Sequence, residues 1–100
     1  GLNTRVDWDN VQIKGPVYIG SGCQIDAGAV IEGPAWLGNG CVMRQDSKLV
    51  RSVLFDYTRM DTNSTLWEVI ASPQYVVDRH GHTTYQGEEG TTLRWGDARA

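Results

Sequence analysis

The sequence predicts an all-β fold in which short strands wind around one axis as a parallel β-helix. The first observation is a large aliphatic residue at every sixth position, namely Ile13, Ile19, Ile25, Ile31, Leu37, Met43 and Leu49. The second is a mostly small residue four places after each aliphatic position, namely Val17, Cys23, Ala29, Ala35, Cys41 and Ser47. A helix would space apolar residues by three and four, so this period excludes it.

The third observation is the turn-forming composition of the trios at 20–22, 26–28, 32–34 and 38–40, which are rich in Gly, Asn, Asp and Pro. Gly, Asn and Asp tolerate positive φ, and Pro presets φ, so each trio suits a corner. Alternate residues of a strand face the same way, so the small and the aliphatic residue both point inward. Three sides of six residues then make one coil, and stacked coils pair their strands in parallel.

The repeat shortens once after Leu49. The next inward aliphatic residues are Leu54, Met60 and Leu66, a step of five followed by sixes. The small inward partners are then Ser52, Thr58 and Ser64, and Ile70 closes the last side. A rival register with Phe55 inward would put Arg59 at a small position. We therefore expect about three coils over residues 11–70.

The two flanks lack the repeat and are expected to cover the ends of the coils. Residues 1–10 read as a connector, of which 6–10 would cover one end. After Ile70, a strand, a turn around His80-Gly81 and a second strand predict a hairpin. Because open solenoid ends expose unpaired strand edges, residues 71–100 are expected to cap the other end or fold back along a side.

Outward residues that stack on one side of the coils suggest a contact surface. The first side collects Tyr18, Trp36, Val53 and Ala71, the second Gln24, Val42 and Arg59, and the third Gln12, Val30, Lys48 and Thr65. Exposed apolar and aromatic patches usually mark interfaces. We call Tyr18, Trp36 and Val53 the contact strip and expect it to bind a partner. The alternative, that the tail residues Tyr75, Leu93 and Trp95 pack over it, stays open.

The chain shows no motif for catalysis, cofactor binding or a metal. Cys23 and Cys41 would stack inside the coil, where parallel neighbours suit a disulfide poorly and a buried small residue is the better interpretation. The pair His80 and His82 lacks a third ligand, and a Gly-centred turn explains it. Asp7 and Asp9 read as solvated charges. The carboxylates at 88–89 read as a loop, and an acid/base pair there would need a cleft.

Composition excludes several classes of partner. The chain has 100 residues, 40% of them hydrophobic, and a formal net charge of -3. A nucleic-acid-binding domain would carry a basic footprint, and no Lys/Arg cluster is present for an anionic membrane. No apolar run approaches the roughly 20 residues of a membrane span. We therefore expect one domain with neither nucleic acid nor membrane as a partner.

Several segments resemble one enzyme family. These are "VDWDNVQIKGPVYIGSG" (6–22), "IEGPAWLGNGC" (31–41) and "SVLFDYTRM" (52–60), with "YVVD" (75–78) and "RWGDAR" (94–99) in the tail. They are similar to the carboxyl-terminal left-handed β-helix domain of sugar-1-phosphate nucleotidyltransferases, most of all bacterial mannose-1-phosphate guanylyltransferases. The resemblance covers nearly the whole chain.

The resemblance implies left-handed coiling, an exception to the usual right-handed crossover. It also implies that GTP, mannose 1-phosphate and Mg²⁺ bind an amino-terminal catalytic domain through a Gly-rich loop that this chain lacks. The β-helix would then serve oligomerisation, domain packing or regulation in a cytoplasmic enzyme, with its own catalytic domain and further copies as partners. The chain itself is expected to hold no active site.

The rival interpretation is an enzyme in its own right, a hexapeptide-repeat acyltransferase or a protein like the γ-carbonic anhydrases. Such enzymes place a catalytic or metal-binding His on a coil edge between subunits. This chain has no His between residues 1 and 79, which counts against this class.

Overall fold

The structure, a computed structural model, describes residues 3–88 and 94–100 and contains no helix in those ranges. Twelve short strands form the coils: β1 (Arg5–Val6), β2 (Gln12–Lys14), β3 (Val17–Ile19), β4 (Gln24–Ile25), β5 (Val30–Glu32), β6 (Ala35–Leu37), β7 (Val42–Met43), β8 (Lys48–Val50), β9 (Val53–Leu54), β10 (Thr58–Met60), β11 (Thr65–Trp67) and β12 (Ile70–Ala71). The tail contributes β13 (Tyr75–Val77), β14 (Thr83–Tyr85) and β15 (Trp95–Asp97).

The strands form three sheets, one for each side of the coil. Their orders are β1-β4-β7-β10-β15, β2-β5-β8-β11 and β3-β6-β9-β12-β13-β14. Within the coils every pairing is parallel and joins a strand to the third strand after it. The predicted all-β parallel β-helix is therefore confirmed, while its left hand stays a prediction.

The predicted core is also confirmed. Along the axis the inward aliphatic residues pair in three columns, Ile13–Ile31–Leu49–Leu66, Ile19–Leu37–Leu54 and Ile25–Met43–Met60. From Ile25 onward each of these side chains is at most 2% exposed. Burying a side chain of this size contributes about 1.5–3 kcal/mol, so the columns supply the main stabilising force.

The five-residue step has a visible cause at one corner. In the second coil Gly33 and Pro34 link β5 to β6, whereas Arg51 alone makes the same bend in the next coil with a φ of 43°. Leu54 therefore pairs with Leu37, seventeen residues earlier. The predicted step is thus confirmed, because one residue in the left-handed region replaces a Gly-Pro corner.

A second shortened step corrects the sequence prediction. Glu68, with a φ of 51°, makes the same tight corner one coil later. As a result Ala71 pairs with Leu54 and is fully buried, while Ile70 pairs with Val53 and is 41% exposed. The predictions that Ile70 closes the inward side and that Ala71 points outward are both wrong.

The solenoid has about four turns, one more than predicted. The additional turn begins at β1, where Val6 pairs with Ile25, nineteen residues later. One extra residue in the loop between β1 and β2 breaks the six-residue period there, which hid this turn in the sequence. The part of the chain expected to cover an end thus holds a strand of the coil itself, and the role of 1–10 as a connector stays a prediction.

The tail closes the last turn by reversing direction. Strand β15 runs antiparallel to β10, and the hairpin β13–β14 continues the third sheet antiparallel to β12. Trp95 is only 3% exposed and its indole Nε1–H donates to the carbonyl of Ser72 at 3.0 Å. The indole therefore covers the end of the core. Within residues 3–88 and 94–100, no helix is long and apolar enough to cross a membrane.

Candidate functional site

The contact strip forms one continuous row on the outside of the third sheet. Tyr18, Trp36 and Val53 are paired neighbours on β3, β6 and β9. The rings of Tyr18 and Trp36 stack with centroids 5.6 Å apart and planes 11° from parallel, although the side chains are 54% and 41% exposed. The structure thus brings the three predicted residues together, while their role in binding a partner stays a prediction.

The strip continues further than the sequence indicated. Ile70 occupies the next outward position, where the six-residue pattern had placed Ala71, and Val77 of the tail hairpin pairs with it. The three strip residues line an apolar groove together with Pro16, Val17, Pro34 and Ala35, and no charged side chain of the described residues lines it. Such an uncharged exposed surface is typical of the centre of an interface.

The described part of the tail leaves the strip open. Trp95, one of the residues expected to cover it, is instead inserted at the end of the core. Tyr75 lies beside Trp36 in a neighbouring groove, and Leu93 lies outside the described residues. Tyr18 is more than half exposed, and the binding of a partner at the strip stays a prediction.

Three further aromatic or charged residues extend this surface around the corner, and the sequence analysis did not single them out. Phe55 and Tyr57 are 41% and 40% exposed. The guanidinium of Arg99 lies 4.4 Å from the centroid of the Tyr57 ring and pairs with Asp97 at 3.0 Å. The sequence signal for these exposed residues was the run Phe55-Asp56-Tyr57. Because this run directly follows an inward Leu, it must form a corner.

A charged cluster at another corner fastens the tail hairpin to the coils. Glu68 accepts from Arg51 Nε at 3.0 Å and from Arg79 Nη1 at 3.3 Å. Both guanidiniums also lie over the exposed ring of Trp67, at 5.8 and 5.0 Å from its centroid. Because Arg79 lies in the hairpin and Glu68 in the last coil, the cluster holds one against the other.

The two cysteines are buried free thiols, as the core interpretation predicted. Cys23 Sγ donates to the carbonyl of Gly38 at 3.1 Å, and Cys41 Sγ donates to the carbonyl of Phe55 at 3.2 Å. The contact with the Cys23 thiol, together with burial, raises the pKa of Cys41.

The histidine pair belongs to a local turn. Asp78 Oδ1 accepts the backbone N–H groups of His80 and His82, both at 2.9 Å, and Gly81 between them has a φ of 80°. These hydrogen bonds, that of His82 foremost, lower the pKa of Asp78. The geometry is that of a side-chain-stabilised turn, which supports the structural interpretation over a metal site.

Of the remaining carboxylate candidates, Asp9 is exposed and two others have local partners. Asp7 accepts from the side-chain amide of Asn10 at 3.1 and 3.2 Å, and Glu88 accepts from the backbone N–H of Tyr85. Glu89 lies outside the described residues. Within 3–88 and 94–100, no three His, Cys, Asp or Glu side chains are grouped as metal ligands would be. The absence of catalytic, cofactor-binding and metal residues from the chain stays a prediction.

The comparisons with known proteins give one informative relative. No protein-family model matches the chain. Over 81 residues the chain is 37% identical to the UTP–glucose-1-phosphate uridylyltransferase of Synechocystis sp.. The matched region covers 81% of this chain but only 21% of that protein, so the chain spans about a fifth of the relative's length. The chain is therefore similar to a part of a sugar-1-phosphate nucleotidyltransferase.

This finding agrees with the resemblance noted in the sequence at the level of the enzyme class. It concerns a uridylyltransferase for glucose 1-phosphate, and it does not support the narrower expectation of mannose 1-phosphate and GTP.

Proposed function

We propose that the chain is the β-helix module of a sugar-1-phosphate nucleotidyltransferase, and that it serves oligomerisation, domain packing or regulation rather than catalysis. The observation that carries the enzyme class is the similarity over 81 residues to such an enzyme. The exposed, stacked pair of Tyr18 and Trp36 supports the contact role. In this proposal, nucleotide, sugar phosphate and Mg²⁺ bind a catalytic domain outside these residues.

The narrower proposal is that the parent enzyme makes GDP-mannose from GTP and mannose 1-phosphate. It is supported by the resemblance of segments 6–22, 31–41 and 52–60 to mannose-1-phosphate guanylyltransferases. The relative is named as a UTP–glucose-1-phosphate uridylyltransferase, so UTP and glucose 1-phosphate are the competing pair of substrates.

The test is a substrate panel on the gene product that contains this chain. Pyrophosphate release is followed with Mg²⁺ and each combination of GTP or UTP with mannose 1-phosphate or glucose 1-phosphate. The highest kcat/KM with GTP and mannose 1-phosphate is expected. A preference for UTP and glucose 1-phosphate would contradict the narrower proposal only, whereas no transfer with these pairs or with the other common nucleoside triphosphates and sugar 1-phosphates would contradict the enzyme class.

The contact role is tested by charging the strip. The double change Tyr18→Lys and Trp36→Lys places two ammonium groups where an apolar partner surface would desolvate them. The assembly is expected to dissociate, while circular dichroism stays that of the wild type because both side chains point outward. The matched control is Gln12→Lys with Thr65→Lys, at exposed outward positions of another sheet. An unchanged sedimenting mass for the strip variant would exclude the strip as the contact.

Domain packing would use the end of the solenoid at β1. There Val6, Ile13 and Ile19 are only partly buried, and Trp8 is 66% exposed. Apolar surface and unpaired strand edges together favour a protein neighbour. The rival classes, acyltransferase and γ-type carbonic anhydrase, gain no support, because both histidines lie in the tail turn.

A further inference from the structure

A groove at the corner next to the contact strip combines three aromatic side chains with a carboxylate. Trp36, Phe55 and Tyr75 line it together with Asp56, and Ser72 to Gln74 and Arg99 complete the wall. Trp36 and Phe55 each expose 41% of their surface. Asp56 occupies the corner position that Asn39 holds one coil earlier, where the Asn39 side chain accepts the backbone N–H of Ser21.

The Asp56 carboxylate is held in place and carries a free charge. Its Oδ1 accepts the backbone N–H of Asn39 at 2.8 Å. It also rests on Gly38, where an added Cβ would lie 2.3 Å from Oδ1. Asp56 is exposed and makes no ion pair with any residue in the described ranges.

Arg99, the one cationic side chain that lines the groove among the described residues, already has hydrogen-bond partners. Arg99 Nε and Nη2 each donate to the Asp97 carboxylate at 3.0 Å, and these hydrogen bonds lower the pKa of Asp97. The Arg99 guanidinium also stacks on Tyr57. Asp56, Asp97 and Arg99 together therefore leave one net negative charge at the groove.

Tyr75 and Ser72, in the rest of the wall, already contact other residues. Tyr75 packs edge-on against Tyr85 with ring centroids 6.1 Å apart. The Ser72 hydroxyl accepts from the backbone N–H groups of Gln74 and Tyr75, and its carbonyl accepts from Trp95. A ligand in the groove would therefore meet aromatic rings, the Asp56 carboxylate and the exposed Gln74 side chain.

We propose that this groove binds the guanidinium of an arginine side chain from a protein partner. A cation over an aromatic face is attracted by the ring quadrupole. Arginine combines this stacking with a planar array of donors for a carboxylate, whereas the lysine ammonium is compact and strongly hydrated. The proposed role of the groove does not depend on which enzyme contains the chain.

The test is a titration with N-acetyl-arginine amide, followed by the ¹H–¹⁵N signal of the Trp36 indole. N-acetyl-citrulline amide, which is nearly isosteric and uncharged, is the matched probe. The arginine probe is expected to shift the Trp36 signal saturably, leave the indoles of Trp8 and Trp67 unchanged, and bind about fivefold more tightly than the citrulline probe. Equal responses to the two probes, or to N-acetyl-lysine amide, would overturn the proposal.

Two variants separate the charge from the rings. Asp56→Asn keeps the acceptor for the Asn39 N–H and is expected to weaken arginine binding about threefold to fivefold. Phe55→Leu leaves that hydrogen bond untouched and removes one ring face, with a similar loss expected. Asp9→Asn, an exposed carboxylate at the other end of the solenoid, is the control and should bind like the wild type. Wild-type binding by both groove variants would contradict the assignment.

Discussion

The two ends of the solenoid are built from the same repeat but finish in different ways. At the closed end, β13 and β15 pair antiparallel with two of the three strands of the last coil, and Trp95 covers the core, while β11 is the outermost strand of its sheet. At the open end, β1, β2 and β3 are the outermost strands of their sheets, with no further partner among the described residues. A coil repeat therefore does not end itself, and reversal of the chain plus one large side chain is what stops the stacking.

The difference shows in the burial of equivalent core positions. Ile13 and Ile19 of the first turn are partly buried, whereas Ile31 and Leu37 one turn later are fully buried. Each turn shields its neighbours on both sides, so a turn that lacks a neighbour on one side exposes apolar surface. This is why the open end, and not the closed one, suits packing against another domain in the proposed function.

The largest expected effect is at the closed end. Trp95→Ala removes the side chain that covers the core and its hydrogen bond to Ser72, and should lower the free energy of unfolding by about 3–5 kcal/mol. Trp8→Ala, at the exposed tryptophan of the open end, should change it by less than about 0.5 kcal/mol. Urea denaturation measures both, and equal losses would contradict the closed-end role.

The second prediction compares two isoleucines of one column. Ile31→Ala should cost about 2–5 kcal/mol, as a fully buried large-to-small change does. Ile13→Ala, one turn nearer the open end, should cost only about 1–2 kcal/mol because its side chain is partly solvated. An unaltered melting midpoint for Ile31→Ala would mean that this residue does not point inward.

The third prediction concerns the ion pairs that hold the hairpin. Glu68→Gln removes the pairs with Arg51 and Arg79, whose side chains are 43% and 55% exposed. Because these side chains are exposed, the free energy of unfolding should fall by only about 0.5–1 kcal/mol, and high salt should abolish the difference. Glu32→Gln is the control near the open end, since its pair with Lys14 spans 3.7 Å and should contribute almost nothing. A loss of stability that persists at high salt would contradict the role of ion pairs in holding the hairpin.

The smallest effect is a pH dependence in the tail turn. Hydrogen bonds from His82 and then His80 lower the pKa of Asp78. The stabilisation is therefore present above the ordinary carboxyl pKa of about 3.9, and is lost as pH falls through the lower folded value. The amide shifts of His80 and His82 should move with a midpoint below that ordinary value and show no such transition in Asp78→Ala. A midpoint above the ordinary carboxyl pKa would contradict the role of these hydrogen bonds in the turn.

Much of the coil was predictable because its period leaves little choice. The inward columns followed from the six-residue spacing. The first five-residue step followed because the rival register would put Arg59 at an inward position that is suited to a small residue. The second short step was missed because Ile70 is aliphatic and fits a period of six. Only the left-handed φ of Glu68 reveals the shift.

The ends and the candidate site were harder to predict. The extra residue in the loop after Val6 breaks the period, so the first turn had no sequence signature. Antiparallel pairing of β15 with β10 joins residues far apart in the chain, and no local pattern encodes it. The outward row of Tyr18, Trp36 and Val53 did follow from the repeat, whereas the groove of Phe55, Asp56 and Tyr75 depends on how the tail folds back.

The most direct test of the stacked register is a set of nuclear Overhauser contacts from the Leu54 methyl groups. The structure places Leu54 between Leu37 and Ala71 within one sheet. Contacts from Leu54 to the Leu37 methyl groups on one side and the Ala71 methyl group on the other are therefore expected. Contacts from Leu54 to the Ile70 side chain in place of Ala71 would show that the last coil keeps a period of six and would contradict this account of the fold.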